Sequence, residues 1–161
     1  MADQSSFDAV FDSPVGKLGI QVQGKILCRL GFLSGRYPLK QAQRTETCKV
    51  QRAILCYFDN PLAVPDIDFQ LSGTLFQRKV WCALRRIPAG KVMTYGALAE
   101  RLGTGARAVG NACRRNPVPI IVPCHRVVAQ QGLGGFAGDH EGRLTKVKHW
   151  LLQAEGVEIR N

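Results

Sequence analysis

Asn116-Pro117-Val118-Pro119-Ile120-Ile121-Val122-Pro123-Cys124-His125-Arg126-Val127 is the stretch from which the rest of the chain can be read outward. Proline fixes φ and lacks an N–H, and the residue before it is pushed away from helical dihedrals. Pro117, Pro119 and Pro123 therefore predict a stiff, extended entry from Asn116 to Pro123, which stops any upstream helix and holds Cys124 in place. An imidazole and a guanidinium follow the cysteine. The first can take a thiol proton and the second can stabilise the anion, so the triplet has the makings of a nucleophile. A buried structural cysteine is the competing reading of the same residues.

Immediately upstream, Tyr95–Leu102 and Ala106–Arg115 read as two short helices separated by Gly103-Thr104-Gly105, with Thr104 placed to cap the second. A pair of short helices joined by a tight Gly-containing turn is the outline of a helix-turn-helix. Before it, Phe76, Val80, Leu84 and Ile87 fall on one helical face, and Pro88-Ala89-Gly90 ends that helix. Residues 61–72 contain proline and aspartate without helical period, and the domain boundary is placed there. The N-terminal part alternates like three antiparallel strands, Phe7–Phe11, Leu18–Val22 and Ile26–Leu30, and then turns helical from Leu39 to Phe58. Downstream of Cys124, a loop from Gln130 to Gly142 holds five glycines. A last helix over about Leu144–Ala154 carries Val147, Trp150, Leu151 and Ala154, with Gly156 placed to end it. The expected fold is α/β (α+β): a strand-and-helix domain over 1–72 and a mostly helical domain over 73–161.

Charge divides along the same line. Residues 1–72 carry 8 Lys/Arg and 7 Asp/Glu, whereas residues 73–161 carry 14 and 5. A basic excess confined to one half suits an anionic polymer. A membrane surface fits less well, because no long segment pairs a basic face with Trp, Phe or Leu. No run reaches the length of a membrane span, and Met1–Phe11 lacks a basic region followed by an apolar one, so a cytoplasmic protein is expected. The six cysteines form no C-x-x-C pair, and His125, His140 and His149 lack metal-ligand spacing. Free thiols, no metal and no cofactor are expected.

The segment Asn116–Val127 resembles the active-site signature of the O6-alkylguanine-DNA alkyltransferases, also called methylated-DNA–protein-cysteine methyltransferases. The similarity extends through Gly90-Lys-Val-Met-Thr-Tyr-Gly-Ala-Leu-Ala99, Ala106-Arg-Ala-Val-Gly110, Gly135-Phe-Ala-Gly138 and Trp150-Leu-Leu-Gln-Ala-Glu-Gly156, covering about residues 73–156 in order. The first 72 residues resemble the family's RNase H-like N-terminal domain in outline only. The resemblance implies a winged helix-turn-helix-like unit that binds duplex DNA through the minor groove, flips out O6-alkylguanine (or O4-alkylthymine) and transfers the alkyl group irreversibly to Cys124. It implies that His125 draws off the thiol proton through a water, oriented by Glu155. Asn116 is the hinge that ties the second helix to the active-site turn. Tyr95 donates its hydroxyl to the flipped base, and Arg107 fills the gap left in the stack. Thr94, Ala106, Ala108, Gly110 and Arg114 approach the DNA. Cys113, Pro119 and Phe136 wall the pocket, the backbone carbonyls of Cys124 and Val127 accept from the guanine amine, and the Ala137 amide reaches O6. The protein is expected to act as a monomer, with cooperative binding along DNA left open, and to associate with the nucleoid, or the nucleus in a eukaryote.

Three departures from the family pattern stand out. Leu75 replaces a common proline, Phe136 replaces a common tyrosine, and Asp139-His140-Glu141 lengthens the Gly-rich loop. Rival functions are a non-catalytic lesion-binding protein of the same fold, a helix-turn-helix regulator and a cysteine hydrolase. The first would replace the cysteine. The second needs base-reading side chains where this chain has alanines and glycine. The third is disfavoured because the only recognisable context around the Cys-His pair is a DNA-binding one.

Overall fold

The computed structural model describes residues 6–63, 65–134 and 142–159. The chain divides into two units, Met1–Leu71 and Ser72–Asn161, within one residue of the boundary read from the sequence.

The first unit is a three-stranded antiparallel sheet in the order β1-β2-β3, formed by β1 (Ala9–Ser13), β2 (Gly16–Gln23) and β3 (Ile26–Leu33), with helix α1 (Thr45–Asp59). Alternation of buried Leu18, Ile20 and Val22 along β2 supplies the core face, joined by Val50, Ile54 and Tyr57 from α1. The helix starts at Thr45 and not at Leu39 as expected. β1 lies at the sheet edge, and Lys40 exchanges both backbone hydrogen bonds with Val10 (2.9 and 3.0 Å). Lys40 therefore pairs with the strand edge, and the helix begins only after it.

The second unit contains α2 (Leu75–Leu84), β4 (Met93–Thr94), α3 (Tyr95–Leu102), α4 (Ala106–Arg114), a 3-10 turn at Cys124–Arg126, β5 (Val127–Val128) and α5 (Arg143–Ala154). Helix α2 begins with a capping box: the Thr74 hydroxyl accepts from the Gln77 amide and the Gln77 side chain accepts from the Thr74 amide. Its buried face is Val80, Trp81 and Leu84, and Trp81 Nε1 donates to the Ala112 carbonyl at 2.8 Å, fastening α2 to α4. Ile87 is buried beyond the helix end, whereas Phe76 is 36% exposed. Helices α3 and α4 pack as the expected pair. Thr94 caps α3 by accepting from the Ala97 amide, and Gly103, at φ 68°, ends it in the left-handed conformation that suits glycine. Thr104 does not cap α4; its N-cap residue is Gly105, and the Thr104 amide closes α3 by donating to Ala99.

Helix α5 ends where Gly156 (φ 86°) lets two amides turn back, Gly156 to Gln153 and Val157 to Leu152. Its buried residues are Val147, Lys148, Leu151 and Leu152, so its inward face is rotated from the Val147, Trp150, Leu151, Ala154 stripe expected. No helix among the described residues is long and apolar enough to cross a membrane.

Candidate active site

The extended entry expected at 116–123 is instead a tight loop. Val122 donates its amide back to the Val118 carbonyl (3.0 Å), and Ile120 adopts φ 76°. The prolines constrain Asn116, Val118 and Val122, but Ile120 and Ile121 precede no proline and are free to turn. A left-handed β-branched residue is costly, on the order of 1–3 kcal/mol, and persists only where the surroundings fix it. Here the loop is fully buried from Val118 to His125. Asn116 fixes it from inside: its Nδ2 donates to the Val122 carbonyl (2.8 Å) and its Oδ1 accepts from the Val118 amide (3.0 Å). One side chain thus closes the loop that delivers Cys124, from the foot of α4.

Cys124 opens the 3-10 turn and is only 4% exposed. Burial pushes its thiol pKa up; the Asn116 side chain and the Lys148 ammonium pull it down less strongly. The expectation of a thiolate favoured by its sequence neighbours is therefore corrected: in the described site burial wins, and deprotonation needs a base. His125 is fully buried, and its Nε2 lies 2.8 Å from Glu155 Oε2. Burial lowers its pKa despite Glu155, which keeps the ring neutral. The nitrogen facing a carboxylate carries the hydrogen, so Nδ1 holds the free lone pair. That atom is buried and has no hydrogen-bond partner among the described residues.

Arg126 does not act as the thiol's cation. Its Nε and Nη2 reach Glu155 Oε1 and Oε2 at 2.9 and 3.0 Å, and Nη1 donates to the Ile87 carbonyl at 2.6 Å. Glu155 is thus gripped from two sides at the end of α5. Gly90 leaves room for this end: a Cβ there would lie 3.1 Å from the Glu155 carbonyl, at a φ of 86°.

Lys148, which the sequence reading did not single out, is 0% exposed. Its Nζ donates to the Val127 carbonyl at 2.7 Å and lies 3.5 Å from the Tyr95 hydroxyl and 5.5 Å from the Tyr95 ring centroid. Burial brings its pKa down to about 8, against the pull of Cys124 and Cys113. Burial also raises the pKa values of Tyr95 and Cys113, so Tyr95 remains a phenol and Cys113 a thiol. Cys113, Cys124, Tyr95 and Lys148 therefore form one cluster, drawn from α4, the 3-10 turn, α3 and α5. The signal for Lys148 was present: Lys148, Leu151, Leu152 and Glu155 follow the i, i+3, i+4, i+7 spacing of one helical face.

Pro119 and Val127 are buried next to this cluster in sequence, whereas Phe136 and Ala137 lie outside the described residues, as do Asp139-His140-Glu141. On α4, Val109, Ala112 and Cys113 face inward, while Ala106, Arg107, Asn111 and Arg114 are exposed and Ala108 and Gly110 half-buried. A Cβ on Gly110 would meet nothing within 4 Å, so this side of the helix is open. All six cysteines are free, with Cys48, Cys56 and Cys82 exposed rather than in the core.

The family model of the 6-O-methylguanine DNA methyltransferase DNA-binding domain matches residues 75–157. A methylated-DNA–protein-cysteine methyltransferase of Salmonella typhimurium is 51% identical over 104 residues, 62% of this chain; the match spans only 58% of that relative's length. The corresponding protein of Methanosarcina acetivorans is 36% identical over 156 residues, covering 92% of this chain and 97% of its own. Among solved structures, Mycobacterium tuberculosis OGT in complex with DNA is 35% identical and superposes with a TM-score of 0.73 over 91% of each chain. With half of its residues matched by the family model and nearly all of them aligned to a full-length relative, the chain belongs to the methylated-DNA–protein-cysteine methyltransferase family.

Proposed function

We propose that this chain repairs DNA by moving the alkyl group of O6-alkylguanine, and of O4-alkylthymine, onto Cys124 in a single irreversible turnover. The observation that carries the reading is a buried thiol next in sequence to a neutral, carboxylate-anchored imidazole whose second ring nitrogen has no hydrogen-bond partner among the described residues. The thiol proton passes to His125 through a water, and the resulting imidazolium is stabilised by Glu155. The sulfur attacks the O-alkyl carbon; the S–C bond forms, the C–O bond breaks, and its electron pair stays on guanine O6. Guanine regains a proton, so thiol plus O6-alkylguanine becomes thioether plus guanine. Attack at a saturated carbon uses neither an oxyanion hole nor a cofactor.

The alkyl carbon is hidden in stacked DNA, so the nucleotide must leave the helix at a cost of a few kcal/mol. Arg107, exposed near the start of α4, occupies the vacancy. The small residues Ala106, Ala108 and Gly110 let α4 approach the minor groove, whose degenerate code suits sequence-independent binding, with Thr94 and Arg114 on the backbone. Tyr95, kept as a phenol, donates to the flipped base. Val127 offers its carbonyl to the guanine amine with the lone pair that Lys148 leaves free, and the Cys124 carbonyl acts alongside it. Cys113, Pro119, Phe136 and Ala137 complete the pocket. The Ser72–Asn161 unit carries binding and transfer, the first unit is structural, and the protein works as a monomer. Affinity falls steeply with salt, because phosphate neutralisation by the basic half supplies most of it.

The test is Cys124→Ala with duplex DNA containing O6-methylguanine. Transfer is abolished while binding persists; transfer surviving the substitution would refute the assignment. Tight lesion binding by the unaltered protein without transfer would favour the non-catalytic reading.

A further inference from the structure

One cleft of the second unit takes none of its lining from the side-chain cluster around Cys124. It holds about 520 Å3 and is walled by the end of α2, the connection that follows it and α3, with nothing from α4, the 3-10 turn or α5. Three cations line it, Arg86, Lys91 and Arg101, and no aspartate or glutamate does. All three are exposed, and none of their side chains has a hydrogen bond or ion pair among the described residues. Basic side chains nearby are placed differently: Lys79 donates to the Leu102 carbonyl at 3.3 Å and Arg126 to the Ile87 carbonyl at 2.6 Å. Between the three cations the surface is apolar. Leu98 forms its floor at 2% exposure, Met93 and Leu102 are half-buried, and Val92 is 42% exposed. The frame is held by turns, the Arg86 amide donating to the Ala83 carbonyl and the Lys91 amide to the Pro88 carbonyl, each at 3.1 Å. A concave surface already shaped in this way loses little order on binding.

The two parts of this surface define the occupant. Three like charges around a cleft with low-dielectric walls focus a positive potential, which attracts carboxylates or phosphates. A nucleic-acid backbone would answer the cations but offers no apolar group to cover Leu98 and Val92. A peptide with bulky apolar side chains flanked by aspartate and glutamate answers both, its anchor over the floor and its charges at the polar rim. We propose that the cleft between α2 and α3 is a docking site for an acidic segment of a partner protein, held by Arg86, Lys91 and Arg101 around an apolar anchor seated over Leu98. This contact is separate from alkyl transfer and does not depend on it.

The test uses the full chain and a fluorescein-labelled peptide, acetyl-Glu-Asp-Glu-Leu-Phe-Asp-Glu-Asp. Amide NMR of the unaltered protein should show peptide-induced shifts gathered at Val92, Met93, Leu98 and Leu102. Fluorescence anisotropy should give micromolar binding that weakens with salt. Arg86→Gln, Lys91→Gln and Arg101→Gln, at exposed positions that tolerate substitution, should each weaken it by about two- to fivefold. Replacing Leu-Phe in the peptide by Ser-Ser should weaken it by about tenfold or more. Absence of binding, or shifts centred on α4, would overturn the proposal. Equal binding of the Ser-Ser peptide would overturn it too, because the cleft would then be a general anion surface. Undamaged duplex DNA is the competing occupant: loss of DNA affinity in the three variants to the same extent as loss of peptide affinity would assign the cleft to phosphates. Self-association by sedimentation that disappears in the variants would assign it to a second copy of the chain.

Discussion

Arg126 sets its guanidinium on Glu155 in a two-point contact, Nε to Oε1 at 2.9 Å and Nη2 to Oε2 at 3.0 Å, while the same Oε2 holds His125 at 2.8 Å. The carboxylate is thus shared between a cation and the ring it orients. Removing one partner of a buried pair leaves an uncompensated charge. Arg126→Gln should therefore cost about 3–5 kcal/mol by chemical denaturation. Arg126 also lowers the His125 pKa, so the imidazole titration followed by NMR should move upward in the folded variant. A downward or absent shift would contradict the shared-carboxylate arrangement.

Asn116 makes the bonds that hold the loop before Cys124 closed. Asn116→Ala should leave the Val122 carbonyl and the Val118 amide unpaired in a buried loop, at about 1–3 kcal/mol each. Asn116→Asp can still accept from Val118 but sets a carboxylate oxygen against the Val122 carbonyl. It should rescue neither stability nor transfer. A wild-type transfer rate in either variant, measured by single-turnover quench, would show that the loop needs no such clasp.

The buried imidazole makes folding pH-dependent on the acid side. The His125 pKa lies below its ordinary value of 6.5 in the folded protein, so the unfolded chain takes up a proton that the folded chain refuses. This contribution to stability is fully present above pH 6.5 and is lost as pH falls toward the folded value. Thermal unfolding should show Tm dropping between about pH 7 and 5, and dropping less for a folded His125→Gln variant. Equal slopes in the two proteins would exclude His125 as the source.

Arg107 is exposed on α4, and no hydrogen bond or ion pair holds its guanidinium among the described residues. Arg107→Ala should change stability by less than about 0.5 kcal/mol. It should slow repair of O6-methylguanine in duplex DNA far more than reaction with free O6-benzylguanine, where no base stack has to be opened. Equal slowing on both substrates would remove the gap-filling role.

The sequence made the helix pair and the three strands legible, because each is set by local chemistry: Gly103 at a left-handed position and alternation in β2. It misled where long-range pairing overrode local preference. The helical pattern expected from Leu39 rests on Val50, Ile54, Leu55 and Phe58, whereas Lys40 pairs with the β1 edge, and Ile120 takes a strained conformation that the Asn116 clasp and full burial explain. At the site, Cys124 and His125 stand out by adjacency, whereas Glu155 is named only through the family resemblance, because a glutamate near a helix end otherwise reads as solvated. Arg126 follows the nucleophile in sequence yet binds Glu155, because adjacency says nothing of where a long side chain ends. Lys148 reads as surface because a lysine inside a helix ordinarily is, although its spacing places it on the Glu155 face.

The central claim, that Cys124 is the acceptor and is spent once, is tested most directly by intact mass and peptide mapping after incubation with duplex DNA carrying O6-methylguanine. The account predicts a single increment of about 14 Da, one CH2, on the peptide containing Cys124, saturating at one per molecule while the DNA lesion disappears. No increment, or an increment on a peptide without Cys124, would contradict it.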